Sequence, residues 1–65
     1  MKRYYITIVG YGGQLMDLYI RARKGLTGQE IAEAWNRKRP TRCVAVRDGG
    51  THKLLWAEEG LPTRA

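Results

Sequence analysis

Apolar and polar positions alternate with period two in four stretches of the chain, and with the period of a helix in one stretch between them. Tyr4-Tyr5-Ile6-Thr7-Ile8-Val9 is rich in β-branched and aromatic residues, which predicts a strand. Its alternation puts Tyr4, Ile6 and Ile8 on one face and Tyr5, Thr7 and Val9 on the other. Gly10-Tyr11-Gly12-Gly13 predicts a reversal, because glycine supplies positive φ angles. A second strand follows from Leu15 to about Arg23, with Met16, Leu18, Ile20 and Ala22 on one face and Leu15, Asp17, Tyr19, Arg21 and Arg23 on the other. Matching the apolar faces of these two strands needs an odd number of loop residues. The spacing therefore predicts a three- or five-residue connection, or a bulge.

The helical stretch runs from Leu26 to Pro40. Thr27 with Glu30 fits a capping box, and Leu26 with Ile31 fits a hydrophobic staple around it. Ile31, Ala34 and Trp35 share one face. Pro40 ends the helix by driving the residue before it out of helical dihedrals. Beyond it, Cys43-Val44-Ala45-Val46-Arg47 predicts a third strand, Asp48-Gly49-Gly50 a hairpin turn, and His52 to Ala57 a fourth strand. A three-residue loop gives the best apolar match, with Val44, Val46, Leu54 and Trp56 on one face. Residues 58–65 carry acidic, glycine and proline residues and predict a frayed tail.

The order is ββαββ, an α+β fold in which two hairpins form an antiparallel sheet and one helix covers one face. One helix cannot cover both faces. The opposite face is expected to carry Tyr5, Thr7, Val9, Leu15, Asp17, Tyr19, Arg21, Cys43, Ala45, Arg47, Lys53 and Leu55. Such a surface is too apolar for solvent alone and too charged for a second core, which suits an interface.

The 65 residues make one small domain, and a chain of this size buries only about 60% of its unfolded surface. Cys43 and His52 are the single cysteine and histidine. They exclude an internal disulfide and a Cys/His zinc cluster within one chain, so good packing or self-association must supply stability. One cysteine suits a reducing compartment, and no apolar run approaches the ~20 residues of a membrane span. The expectation is a cytoplasmic protein with no membrane partner and no cofactor.

Charge then narrows the partners. Twelve Lys and Arg against six Asp and Glu give a net +6, which favours anionic partners. Tyr5, Tyr19, Arg21, Arg23, Arg47 and Lys53 interleave on the open face, and Lys24 follows directly after the second strand. Aromatics among cations on a sheet suit base stacking and phosphate contact. Arg37, Lys38, Arg39 and Arg42 form a second basic cluster; three of them also complement the helix dipole. The clusters flank a helix of about 18 Å, which can hold them apart.

Catalytic chemistry finds little support. Gly10-Tyr11-Gly12-Gly13 lacks phosphate-loop spacing and no helix follows it. The chain has no serine, and Cys43 and His52 fall on different strand positions without an orienting third group. Glu30 has a capping role, Asp48 a turn role, and Glu33 can pair with Arg37. Asp17 alone lacks a local role, and an arginine across the sheet is its expected partner.

The expectation is a non-enzymatic small basic protein that binds nucleic acid through the open face and the basic clusters. The alternative is a protein-binding inhibitor or adaptor of the phage or mobile-element kind, docking on an acidic protein or nucleoprotein surface. A homodimer through the open sheet face is a third option.

Overall fold

The computed structural model describes residues 1–58. It contains β1 (Lys2–Val9), β2 (Leu15–Ala22), α1 (Gly28–Lys38), β3 (Arg42–Asp48) and β4 (Leu54–Ala57). The four strands form one antiparallel sheet in the order β2-β1-β3-β4, with α1 on one face. The ββαββ order is the one expected. The frayed tail expected over 58–65 lies outside the described residues except at Glu58. That residue is held, its N–H donating to the Val44 carbonyl at 2.8 Å and its carboxylate pairing with Arg42.

The first hairpin is regular. Lys2 through Val9 pair with Ala22 through Leu15 without a shift, so Tyr4, Ile6 and Ile8 sit opposite Ile20, Leu18 and Met16. A five-residue loop, residues 10–14, closes it. The Gly10 N–H donates to the Gln14 carbonyl, and Gly13 takes φ +84°.

The helix begins as its residues dictate. The Glu30 N–H donates to the Thr27 hydroxyl at 3.1 Å, and the Thr27 N–H donates to the Glu30 carboxylate at 2.9 Å. These bonds satisfy two orphan donors of the first turn. They also hold the Glu30 carboxyl below its ordinary pKa, the Thr27 backbone bond being the main cause. Arg39 closes the helix in an extended conformation, as a residue before proline must. Two bonds tie this end to the start of β3: Asn36 Oδ1 accepts from the Cys43 N–H at 2.8 Å, and Trp35 Nε1 donates to the Thr41 hydroxyl at 3.3 Å.

The core unites Tyr4, Ile6 and Ile8 of β1, Ile31 and Ala32 of α1, and Cys43 and Val46 of β3. Leu26 and Trp56 pack against it. Ile6 and Val46 are fully buried. Each such aliphatic side chain contributes about 1.5–3 kcal/mol by leaving water.

The second hairpin departs from expectation in three ways. A register shift in the β1–β3 pairing at Thr7/Ile8 leaves Val44 as an extra residue, so Ile8 faces Cys43 rather than Val44. Cys43 thereby turns from the expected open face into the core, 1% exposed, and burial pushes its thiol pKa up. A second shift pairs Arg47 with Leu54 and Val46 with Trp56, which moves Leu54 to the open face and brings Leu55 beside the helix. The turn spans residues 49–53 instead of three, with His52 at φ +63°, so β4 begins at Leu54 and not at His52. A bulge adds one residue to one strand only, and everything before it changes face.

Glycine is required where elements approach most closely. A Cβ on Gly28 would lie 2.7 Å from Trp56 Cβ and 3.1 Å from Leu55 Cβ. The helix thus starts against β4 and packs chiefly on β3 and β4. It does not blanket β2 as expected: Met16 is 43% exposed, and Leu18 and Ile20 are half-buried.

Candidate nucleic-acid interface

The open face is built on one row of the sheet. Tyr19 of β2 faces Tyr5 of β1, which faces Arg47 of β3. The tyrosine rings lie 4.6 Å apart and are tilted by 43°. The His52 ring stacks on Tyr5 at 4.9 Å, and the His52 carbonyl accepts a bond from Arg47 Nη1 at 3.3 Å. Tyr5 is thereby fixed from both sides, while Tyr19 remains half exposed at 49%.

The adjoining row is cationic. Arg3 faces Arg21, and the Arg3 guanidinium lies 6.0 Å from the Tyr19 ring centre. On the other side, Thr7 faces Asp17 and donates its hydroxyl at 2.7 Å. This bond, rather than the expected arginine, is the partner of Asp17. At the far corner the bulge places Arg42 beside Val9, where it pairs with Glu58.

At one end the face runs into an open recess of about 720 Å³, lined by Lys2, Arg3, Tyr19, Lys24, Asp48 and the Gly49-Gly50 turn. The Asp48 carboxylate accepts from Lys2 Nζ at 2.9 Å and from the N–H groups of Gly50 and Thr51. The lysine bond is the main cause holding its carboxyl far below the usual range. With Asp48 so occupied, Arg3 and Lys24 dominate the charge of the recess. The Gly49 N–H donates to the Arg3 carbonyl at 2.9 Å, and a Cβ at Gly49 would lie 2.6 Å from that oxygen. The turn is therefore pressed against β1 beside Arg3.

The expected site residues divide between the two layers. Tyr5, Tyr19, Arg21 and Arg47 come together on the open face, Lys24 lines its recess, and Lys53 stands in the β3–β4 turn. Arg23 lies beyond β2, close enough to α1 to lower the Glu30 pKa slightly. Arg37, Lys38 and Arg39 belong to the helix layer, with the Arg39 guanidinium 5.1 Å from the Trp35 ring centre. The two basic clusters do meet at one place. Arg21, Lys38 and Arg39 line a groove of about 360 Å³ between α1 and β2, floored by Ile20, Ile31 and Trp35. Two further members of this face, Arg3 and His52, are not marked as binding residues by the sequence. A first strand begun at Lys2 would have placed Arg3 on the Tyr5 face, whereas nothing local marks His52 as a left-handed turn residue.

Among the described residues no group of three or more His, Cys, Asp or Glu is placed to hold a metal ion, and no helix is long and apolar enough to cross a membrane. No family model, curated protein or solved structure matches the chain.

Proposed function

We propose that the protein binds single-stranded nucleic acid on its open sheet face, without catalysis. The observation that carries this reading is the row Tyr19–Tyr5–Arg47 flanked by the Arg3–Arg21 pair. Base–aromatic stacking is worth about 1–3 kcal/mol per base and tolerates any sequence, because every base offers a π-face. Tyr19, half exposed, supplies a platform for one base. Tyr5, covered by His52, stiffens that platform. Arg3, Arg21, Arg47 and Lys24 supply phosphate contacts along its edges. A duplex keeps its bases stacked internally and offers the tyrosines nothing, so single strands are preferred.

The test is fluorescence anisotropy of labelled single- and double-stranded oligonucleotides across a salt series. About four phosphate contacts predict a log–log salt slope near −3 for the single strand. Tighter binding of the duplex, or no binding at low salt, would overturn the reading.

A second reading is favoured by the groove beneath the helix. Its apolar floor and the rim of Arg21, Lys38 and Arg39 suit an acidic protein segment with an apolar anchor. Replacing Lys38 and Arg39 by Ala separates the two: it weakens a groove-bound peptide and leaves single-strand affinity within about threefold.

A further inference from the structure

We propose that β2 pairs along its outer edge with β2 of a second copy, antiparallel, so that two sheets join into one of eight strands. The inference does not depend on nucleic acid binding. Among the described residues, β2 is an eight-residue edge strand with no proline, no bulge and a continuous register. Natural edges are blunted by shortness, bulges or proline, because unpaired N–H and C=O groups recruit another strand. The opposite edge uses such devices: β4 has four residues and a register shift in its pairing. The edge β2 has neither, and the two charges it carries, Asp17 and Arg21, are of opposite sign.

Its residues are self-complementary about a two-fold axis at Tyr19. Antiparallel pairing there sets Asp17 of each copy opposite Arg21 of the other, two opposite-charge pairs on the open face. On the helix side it sets Leu18 opposite Ile20 and Met16 opposite Ala22. These are the apolar residues that α1 leaves half-buried or exposed. Opposite charges and apolar pairs directly across a ladder stabilise it, and like charges oppose it. A shift by two residues either sets Asp17 opposite Tyr19 or carries Met16 and Asp17 past the end of the partner strand and leaves only residues 18–22 paired, and a shift by one brings opposite faces together. Asp17, whose only described partner is the Thr7 hydroxyl, thus gains a charged one. The two Tyr5–Tyr19 pairs meet at the axis, forming one aromatic row of four rings.

Sedimentation equilibrium of the full chain without nucleic acid tests this. The protein is expected to reach twice its chain mass below about 100 μM, an association set by mass action. Asp17→Arg and Arg21→Asp, both at exposed positions, are each expected to raise the dimer Kd at least tenfold. The doubly reversed protein is expected to return within about threefold of the original, since the pairs are restored with signs exchanged. Circular dichroism checks that each variant is folded. A Tyr19→Cys variant is expected to cross-link under mild oxidation, while Asp17→Cys is not, because only position 19 faces itself. Cys43 is buried and does not compete. A wild-type monomer throughout the range, single reversals that leave the Kd unchanged, a double reversal without recovery, or cross-linking at position 17 instead of 19 would overturn the pairing.

Discussion

The two hairpins share one sheet and do opposite work. In the first, every residue of β1 has one partner on β2, and its second strand exposes side chains on both faces: Leu15 by 62%, Met16 by 43% and Tyr19 by 49%. In the second, two shifts break the pattern, yet Cys43, Val44 and Val46 are buried and the helix leans on the strands. The regular edge strand β2 makes the display surface; β1, the irregular β3 and the helix make the core. The bulges are what allow it, because they turn Cys43 inward and set Leu55 and Trp56 against the glycine that starts α1. The division predicts that stability changes concentrate in β1, β3, β4 and α1, and that binding changes concentrate on β2 and the outward face of β1.

Truncation tests the division most strongly. Ile6→Ala, at a position with no exposure, is expected to cost about 2–5 kcal/mol in denaturant unfolding, most of the stability of a domain this small. Met16→Ala, on the exposed strand, is expected to cost less than about 1 kcal/mol. Equal costs would erase the distinction between the exposed edge strand β2 and the strands that build the core. Next comes the helix–β4 contact. Gly28→Ala places a methyl 2.7 Å from Trp56 Cβ, and overpacking of this kind costs about 1–3 kcal/mol. An unchanged urea midpoint would show that α1 does not rest on β4.

Tyr19→Ala sharpens the contrast from the other side. Loss of one stacking platform lowers single-strand affinity about tenfold or more, while the unfolding free energy moves by less than about 1 kcal/mol. The cap gives a smaller effect on stability alone: Thr27→Ala is expected to cost about 1 kcal/mol. The pH dependence follows from the same groups. Glu30 and Asp48 are stronger acids folded than unfolded. Their stabilisation is present above the ordinary carboxylate range and is lost progressively as pH falls from about 5 toward their folded pKa values. Lys2, raised chiefly by its bond to Asp48, contributes below the ordinary lysine range and ceases to as pH climbs through its folded pKa. An acid limb that begins well above about pH 5 would point to other groups.

The sequence shows the first hairpin and the helix almost completely. The capping box and the staple are local patterns, and an odd-length loop, of three or five residues, follows from matching Tyr4, Ile6 and Ile8 to their partners; the fold takes five. The second hairpin hides its form. Cys43-Val44-Ala45-Val46 is apolar on both faces of any register, and no glycine marks the shift, so alternation alone sends Cys43 outward and Leu54 inward. His52 adopts a left-handed conformation from within a run that otherwise continues as strand. The open face is legible through Tyr5, Tyr19, Arg21 and Arg47 because they sit on or beside the regular hairpin. Only charge links the helix-end cations to it, and charge carries no direction; the fold sets Arg37, Lys38 and Arg39 in the other layer.

The most direct test of the binding face is an amide chemical-shift titration of the labelled protein with a short single-stranded oligonucleotide. The account predicts perturbations along Arg3, Tyr5, Tyr19, Arg21 and Arg47, continuing into Lys24 and Gly49, with the exposed side of α1 unmoved. Perturbations centred on Arg37, Lys38 and Arg39, with the Tyr5–Tyr19 row silent, would contradict it.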